Sequence, residues 1–411
     1  MFGCLESIIL TNQSKDFFWN LASFFLQGVL FVLIARSNSP KDFAVIVANL
    51  SAGILIAALL DLGSSASAYR SISIEPENLH NEFQKIWGRI LILTIAMLSI
   101  IVFLYLTSFE ILILGPITFI VCIDILISHG LGVFTKFLIG TFIPNLILSL
   151  QRILIIIFYL IFNSISHSLA EKASITFAIF LGLIFSLLFN LMLLKKYVVF
   201  PAFKNWIKYL SLGQRDYAIQ TFSTAIMHLE STILISIGNS FNAGILGAVR
   251  KWSIPINAIG YSENAVLVQE AGKGVKLDSI LYRLFRSKKI QIIPILSIFL
   301  AIIFSPLIVS ILLPESYSKA STVLVLLSIN AYIEMWNTMF LTLILVKIPY
   351  SKIASFQLFC AMFFLCFLLI KGKFLSASEI SIVLILSNII LLFICITYLI
   401  KLILFERQKN R

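Results

Sequence analysis

The sequence predicts an all-α polytopic membrane protein of about twelve transmembrane helices in two pseudo-symmetric six-helix lobes. Three observations predict it. Of 411 residues, 60% are apolar and only 12% are charged, against about half and about a quarter in soluble domains. Apolar runs of about 20 residues, enough to cross a bilayer core, recur along the whole chain. Span starts taken six apart differ by a nearly constant offset. Together these exclude a soluble enzyme, a disordered chain and a disulfide-stapled scaffold. Four of the five cysteines (Cys122, Cys360, Cys366 and Cys395) lie in apolar runs, and Cys4 sits in the leader; none can staple an exposed loop.

The spans follow from apolar runs broken by charge, proline or polar clusters. They fall at 16–36, 43–62, 89–108, 111–130, 139–162, 173–194, 217–237, 245–268, 290–312, 321–346, 353–370 and 380–404. The first carries Asp16 and Asn20 within it. The first fifteen residues lack a basic stretch and no small-residue cleavage site follows the first span, so no cleaved signal peptide is expected. With the N-terminus in the cytoplasm, 22 of the 31 Lys and Arg residues fall on the inner side and 6 on the outer. Three, Arg152, Arg250 and Lys251, lie inside spans. That bias predicts both termini cytoplasmic. The net charge of +12 is then a topology signal and not a nucleic-acid footprint. All outer loops are short; the long inner ones are 63–88, 195–216 and 269–289. Neither side has room for a soluble catalytic domain, so no enzyme is expected.

The offsets between span starts six apart are 201, 202, 201, 210, 214 and 207. Six is even, so both halves enter the membrane from the same side. Parallel repeats of this kind are related by an axis along the membrane normal. The basic 195–216 segment links the halves, giving lobes of 1–205 and 206–411.

Charges inside the membrane are costly and mark sites or buried pairs. Here they are Asp124, Arg152, Glu230, Arg250, Lys251, Glu263 and Glu334, with His129 and His228 nearby. Polar residues also form stripes at helical spacing. The first span carries Asp16, Asn20, Ser23 and Gln27; the eighth Arg250, Ser253, Asn257, Tyr261 and Asn264; the tenth Asn330, Glu334 and Asn337. Such stripes serve as interhelical hydrogen-bond glue or line a wet cavity; three on separate helices favour the cavity. Glu230 and Arg250 sit at similar depth on a hairpin and can pair across it. The chain has no Gly-x-x-x-x-Gly-Lys-Ser/Thr loop, His-Glu-x-x-His or Gly-x-Ser-x-Gly motif, and His80 and His167 lie on opposite sides. Self-contained ATP-driven transport and a metal centre are therefore not expected.

Several stretches resemble one transporter family: Ser39-Pro40-Lys41-Asp42-Phe43 in the first outer loop, Asp61-Leu62-Gly63-Ser64-Ser65-Ala66 to Arg70 after the second span, Glu230 through Gly247, and Leu313-Pro314-Glu315-Ser316-Tyr317-Ser318-Lys319-Ala320. The chain is similar to the polysaccharide flippases of the multidrug/oligosaccharidyl-lipid/polysaccharide (MOP) exporter superfamily, the Wzx-type O-antigen transporters. That resemblance implies a V of two six-helix lobes, as in MATE exporters. It implies alternating access driven by a proton or sodium gradient, with no other cofactor, and undecaprenyl-pyrophosphate-linked oligosaccharide as substrate. Arg152, Arg250, Lys251 and Asn257 would then bind the anionic, sugar-bearing headgroup. Glu230, Asp124 or Glu334 would handle the coupling ion or gate. Membrane lipids, a polymerase and a chain-length regulator are the expected partners. The rival readings are a drug exporter of the same superfamily, whose cavity would be more apolar and acidic, and an O-antigen polymerase, which would show a large outer loop.

Overall fold

The computed structural model describes residues 2–107, 115–165, 171–197, 209, 210, 213, 215–272, 274–347 and 352–409. Among these the chain is helical throughout, with no strand. The helices are α1 (Phe2–Ser37), α2 (Pro40–Asp61), α3 (Ser64–Ile74), α4 (Leu79–Thr107), α5 (Pro116–Leu138), α6 (Ile143–Ile165) and α7 (Glu171–Leu194). After these come α8 (Arg215–Ile226), α9 (Glu230–Ser236), α10 (Ser240–Gly272), α11 (Leu277–Arg286), α12 (Lys288–Leu312), α13 (Ala320–Lys347), α14 (Ile353–Lys371) and α15 (Ala377–Lys409). Among the described residues, ten helices are long and apolar enough to cross a membrane.

Of the two remaining expected spans, the seventh departs from the sequence reading, while the eighth, 245–268, lies within one unbroken helix. The seventh is broken: α8 ends at Ile226, and α9 starts at Glu230. No glycine or proline lies at the break. Arg250 of α10 holds it open, donating through Nη2 to the Met227 carbonyl at 3.3 Å and pairing with Glu230 through Nη1. The eighth is one helix of 33 residues, too rich in Arg250, Lys251, Glu263 and asparagines to count as apolar. At 1.5 Å per residue it is about 50 Å long, more than a hydrocarbon core of about 30 Å.

The long inner loops are not plain loops either. Segment 63–88 holds α3, and 269–289 holds α11. Each is short and buries one face at i, i+3 and i+7: Ser65, Ala68 and Ile72 in α3, Leu277, Ile280 and Leu284 in α11. The two triplets lie 212 residues apart throughout, inside the range of offsets expected from duplication.

The start of α3 explains the Asp-Leu-Gly motif. The Asp61 carboxylate accepts from the Ser65 N–H at 3.3 Å and from the Ser65 and Ser64 hydroxyls at 2.6 and 3.1 Å. It thereby satisfies donors that a helix N-terminus leaves open. The chain turns through Leu62 at φ 45° and Gly63 at φ 70°, the left-handed region that glycine adopts without strain. Arg89 of α4 braces the turn, donating to the Leu60 carbonyl at 2.9 Å.

The chain clusters into two compact units, Met1–Leu30 with Val45–Gln214, and Phe31–Ala44 with Arg215–Arg411. In the first, α5 is the central helix, packed against α3, α4, α6 and α7. Asn49 of α2 caps its start, accepting from the Gly115 N–H and the Thr118 hydroxyl, each at 2.9 Å. In the second, α10 lies along α13, α13 packs on α15, and α14 packs on α8 and α15. The α1–α2 turn belongs to this second unit. Phe43 packs edge-on to Tyr317 at 6.4 Å, and Arg36 donates to the Leu312 carbonyl at 3.0 Å. Burial, with the Asp42 carboxylate adding to it, pushes the Tyr317 phenol well above the usual range. Gly244 meets the Pro40 carbonyl so closely that a Cβ would overlap it.

Candidate functional site

Each unit carries its own polar cluster among apolar helices. In the first, the buried face of α1, with Asp16, Asn20 and Ser23, meets a polar face of α6. Asn145 donates to Asp16 at 2.8 Å, Ser149 to the Trp19 carbonyl at 3.1 Å, and Arg152 Nη1 to the Ser23 hydroxyl. The Arg152 guanidinium also lies 5.8 Å over the Phe24 ring. Asp124 of α5 accepts from Gln151 Nε2 at 2.7 Å and lies within electrostatic reach of Arg152. Arg152 and Asp124 therefore belong to one neighbourhood. Asn145, Ser149 and Gln151 were not singled out from the sequence. The spacing 145, 149, 152 on one helix face was the available signal.

In the second unit the cluster is built on α10. Arg250 and Glu230 form a buried ion pair, with side chains 12% and 5% exposed. Next along the helix, the Lys251 ammonium sits 5.4 Å over the Phe31 ring. Two turns on, Asn257 donates to Glu334 of α13 at 3.3 Å. Two expected stripes thus face each other through Asn257 and Glu334. The side chain of Tyr261, the fourth member of the α10 stripe, lies outside the described residues.

The tenth-span stripe splits. Asn330 and Asn337 are buried against α15, where Asn337 donates to the Asn388 carbonyl at 2.9 Å and Asn388 to Asn330 Oδ1 at 2.9 Å. For these two the glue reading holds and the cavity reading does not; only Glu334 turns to α10. Asn388, a lone amide in an apolar run, was missed from the sequence, although a buried amide in a membrane helix needs a partner.

The α10 cluster has unfilled hydrogen-bonding capacity. Glu230 Oε2, Asn257 Oδ1 and Asn264 Oδ1 are buried and have no hydrogen-bond partner among the described residues. Buried polar atoms are almost always satisfied, so such acceptors call for an incoming donor. The site therefore combines guanidinium and ammonium donors for an anion with acceptors suited to hydroxyl groups. Among the described residues no group of three His, Cys, Asp or Glu side chains is placed to hold a metal ion.

No family model matches the sequence, and no curated protein matches it. Solved structures do. A MATE crystal structure in complex with MaL6 shares 14% identity over 97% of both chains, with a TM-score of 0.70. The fold is that of the MATE transporters. An outward-facing multidrug resistance MATE transporter of the MOP superfamily shares 15% identity over 97% of this chain and 96% of its own, with a TM-score of 0.67. A MOP superfamily transporter from Pyrococcus furiosus, described as having a binding pocket of reverse polarity that suggests a different function, shares 14% identity over 95% of both chains, with a TM-score of 0.66. The MATE fold accounts for the multi-pass helical architecture, and these neighbours are transporters.

Proposed function

We propose that this MATE-fold protein is a flippase for lipid-linked oligosaccharide. It carries undecaprenyl-pyrophosphate-linked repeat units of O-antigen or a similar surface polysaccharide from the cytoplasmic to the periplasmic leaflet of the inner membrane. One observation carries the reading: α10 places Arg250 and Lys251 beside buried acceptors that lack donors. Pyrophosphate needs charge-assisted donors, which a guanidinium supplies in a fork. Sugar hydroxyls supply the donors that Asn257 and Glu230 lack. Arg152 of the first unit is a further guanidinium held among membrane helices.

The Arg250–Glu230 pair gives the mechanism its switch. The anionic headgroup competes with Glu230 for Arg250, which also caps Met227 at the α8–α9 break. Binding at Arg250 thus acts on the break between α8 and α9, and a ligand that prefers one arrangement shifts the population toward it. Glu230, Asp124 and Glu334 are the carboxylates through which a proton or sodium gradient would act on alternating access. Multidrug resistance, the property named for two neighbours of this fold, gives no comparable role to the Arg250 and Lys251 donors, which an anionic headgroup uses directly.

The reading is tested in cells. Deleting the gene should remove surface polysaccharide and accumulate lipid-linked oligosaccharide facing the cytoplasm, and the wild-type chain should restore both. Unchanged surface polysaccharide with an unchanged lipid-linked pool would reject the function.

A further inference from the structure

The elbow between α11 and α12 has a chemistry that the transport site does not use. α11 turns Leu277, Ile280 and Leu284 inward and leaves Tyr282 and Phe285 63% and 57% exposed. Phe285 stacks on Trp336 of α13, with ring centroids 5.3 Å apart and planes 20° apart. Past Ser287, α12 leaves an apolar face open, where Ile292, Ile295, Leu296 and Phe299 are all exposed. That face is long and apolar enough to meet lipid. At its end, Arg286 and Lys288 are exposed. Arg286 Nη1 donates to the Tyr282 hydroxyl at 2.6 Å, and its guanidinium lies 5.6 Å over that ring, leaving further N–H donors for a ligand.

The carboxylates around the elbow are engaged elsewhere. Glu263 and Glu270 both bind Arg283, at 2.9 and 3.0 Å. Burial alone would pull the Arg283 pKa down; the two carboxylates outweigh it and hold it above its ordinary value. Asp278 pairs with Arg407 at 3.1 Å, and Glu406 with Lys347 at 3.4 Å. The elbow thus presents aromatic rings at the edge of a lipid-facing surface and positive charge just beyond them. Rings of this kind favour the headgroup level, and Lys and Arg placed there attract anionic lipid.

We propose that the α11–α12 elbow is a binding site for anionic phospholipid headgroups. Arg286 and Lys288 take the phosphate, and Tyr282 and Phe285 seat at the boundary with the acyl chains.

The test uses the full-length chain in nanodiscs, titrated with phosphatidylglycerol or phosphatidylcholine, with bound lipid counted by native mass spectrometry. Phosphatidylglycerol should bind the wild type more tightly than phosphatidylcholine, and more weakly as salt rises. The double variant Arg286→Gln/Lys288→Gln should lose about thirty-fold in phosphatidylglycerol affinity, which is about 2 kcal/mol at about 1.4 kcal/mol per tenfold. It should keep the wild-type melting temperature in phosphatidylcholine, because both residues are exposed. A control pair far from the elbow, Lys319→Gln/Lys373→Gln, should leave that affinity intact. Unchanged phosphatidylglycerol binding by the elbow variant overturns the proposal. So does an equal loss in the control pair, which would mean bulk charge alone. Displacement by inorganic phosphate at lipid-like concentrations also overturns it, since the site would then bind a soluble anion.

Discussion

Removing either partner of the Arg250–Glu230 pair should damage stability more than removing both. Glu230 is 4% exposed, and its second oxygen has no partner among the described residues. Arg250→Met strips the carboxylate of its counter-charge, and Glu230→Met removes the carboxylate that the buried guanidinium pairs with. Breaking a buried pair from one side costs about 3–5 kcal/mol, whereas replacing both charges by apolar groups is often close to neutral. The double variant Glu230→Met/Arg250→Met should therefore lie within about 1 kcal/mol of the wild type. That is a coupling of several kcal/mol in a double-mutant cycle. Equilibrium unfolding of the purified chain in detergent measures it. Single effects that add to within about 0.5 kcal/mol would refute the buried-pair reasoning. The same variants separate packing from binding. The stable double variant should still fail to transport, because Arg250 is gone. Wild-type transport by it would make Arg250 a packing residue only.

Three further outcomes are expected. Gly244→Ala should destabilise by about 1–3 kcal/mol, because its Cβ overlaps the Pro40 carbonyl. Gly272→Ala, with open space around it, should stay within about 0.5 kcal/mol of the wild type in the same melt. Asn388→Leu should cost about 1–2 kcal/mol by stranding the Asn330 side-chain oxygen between α13 and α15, while Asn337 keeps its bond to the residue-388 carbonyl, measured by unfolding in detergent. Reporter fusions at 280 and 375 should read inside and outside respectively, following the basic-residue bias; a reversed pair would overturn the orientation.

Most of the helical frame was legible because ten of the expected spans are apolar runs, which local composition records. The break at Met227–Leu229 was not, because its cause is tertiary: Arg250, some twenty residues away, reaches back to the Met227 carbonyl. The short helices α3 and α11 sit in segments too polar to register as spans, although Leu277, Ile280 and Leu284 carried the helical period. The Glu230–Arg250 pairing followed from depth on a hairpin. The Asn257–Glu334 contact did not, since periodicity shows which residues share a face and not which face they meet. For the same reason Asn330 and Asn337 read as cavity lining from the sequence, while in the fold they bind Asn388.

The most direct test of the flippase reading is leaflet exchange in vesicles. The purified chain is reconstituted with undecaprenyl-pyrophosphate-linked oligosaccharide on one leaflet under an imposed proton or sodium gradient. A membrane-impermeant glycosidase reports arrival on the other leaflet. The account predicts exchange accelerated by one of the two gradients and abolished in Glu230→Met/Arg250→Met. Gradient-driven efflux of a cationic dye from the same vesicles, with no exchange of the lipid-linked sugar, would contradict it.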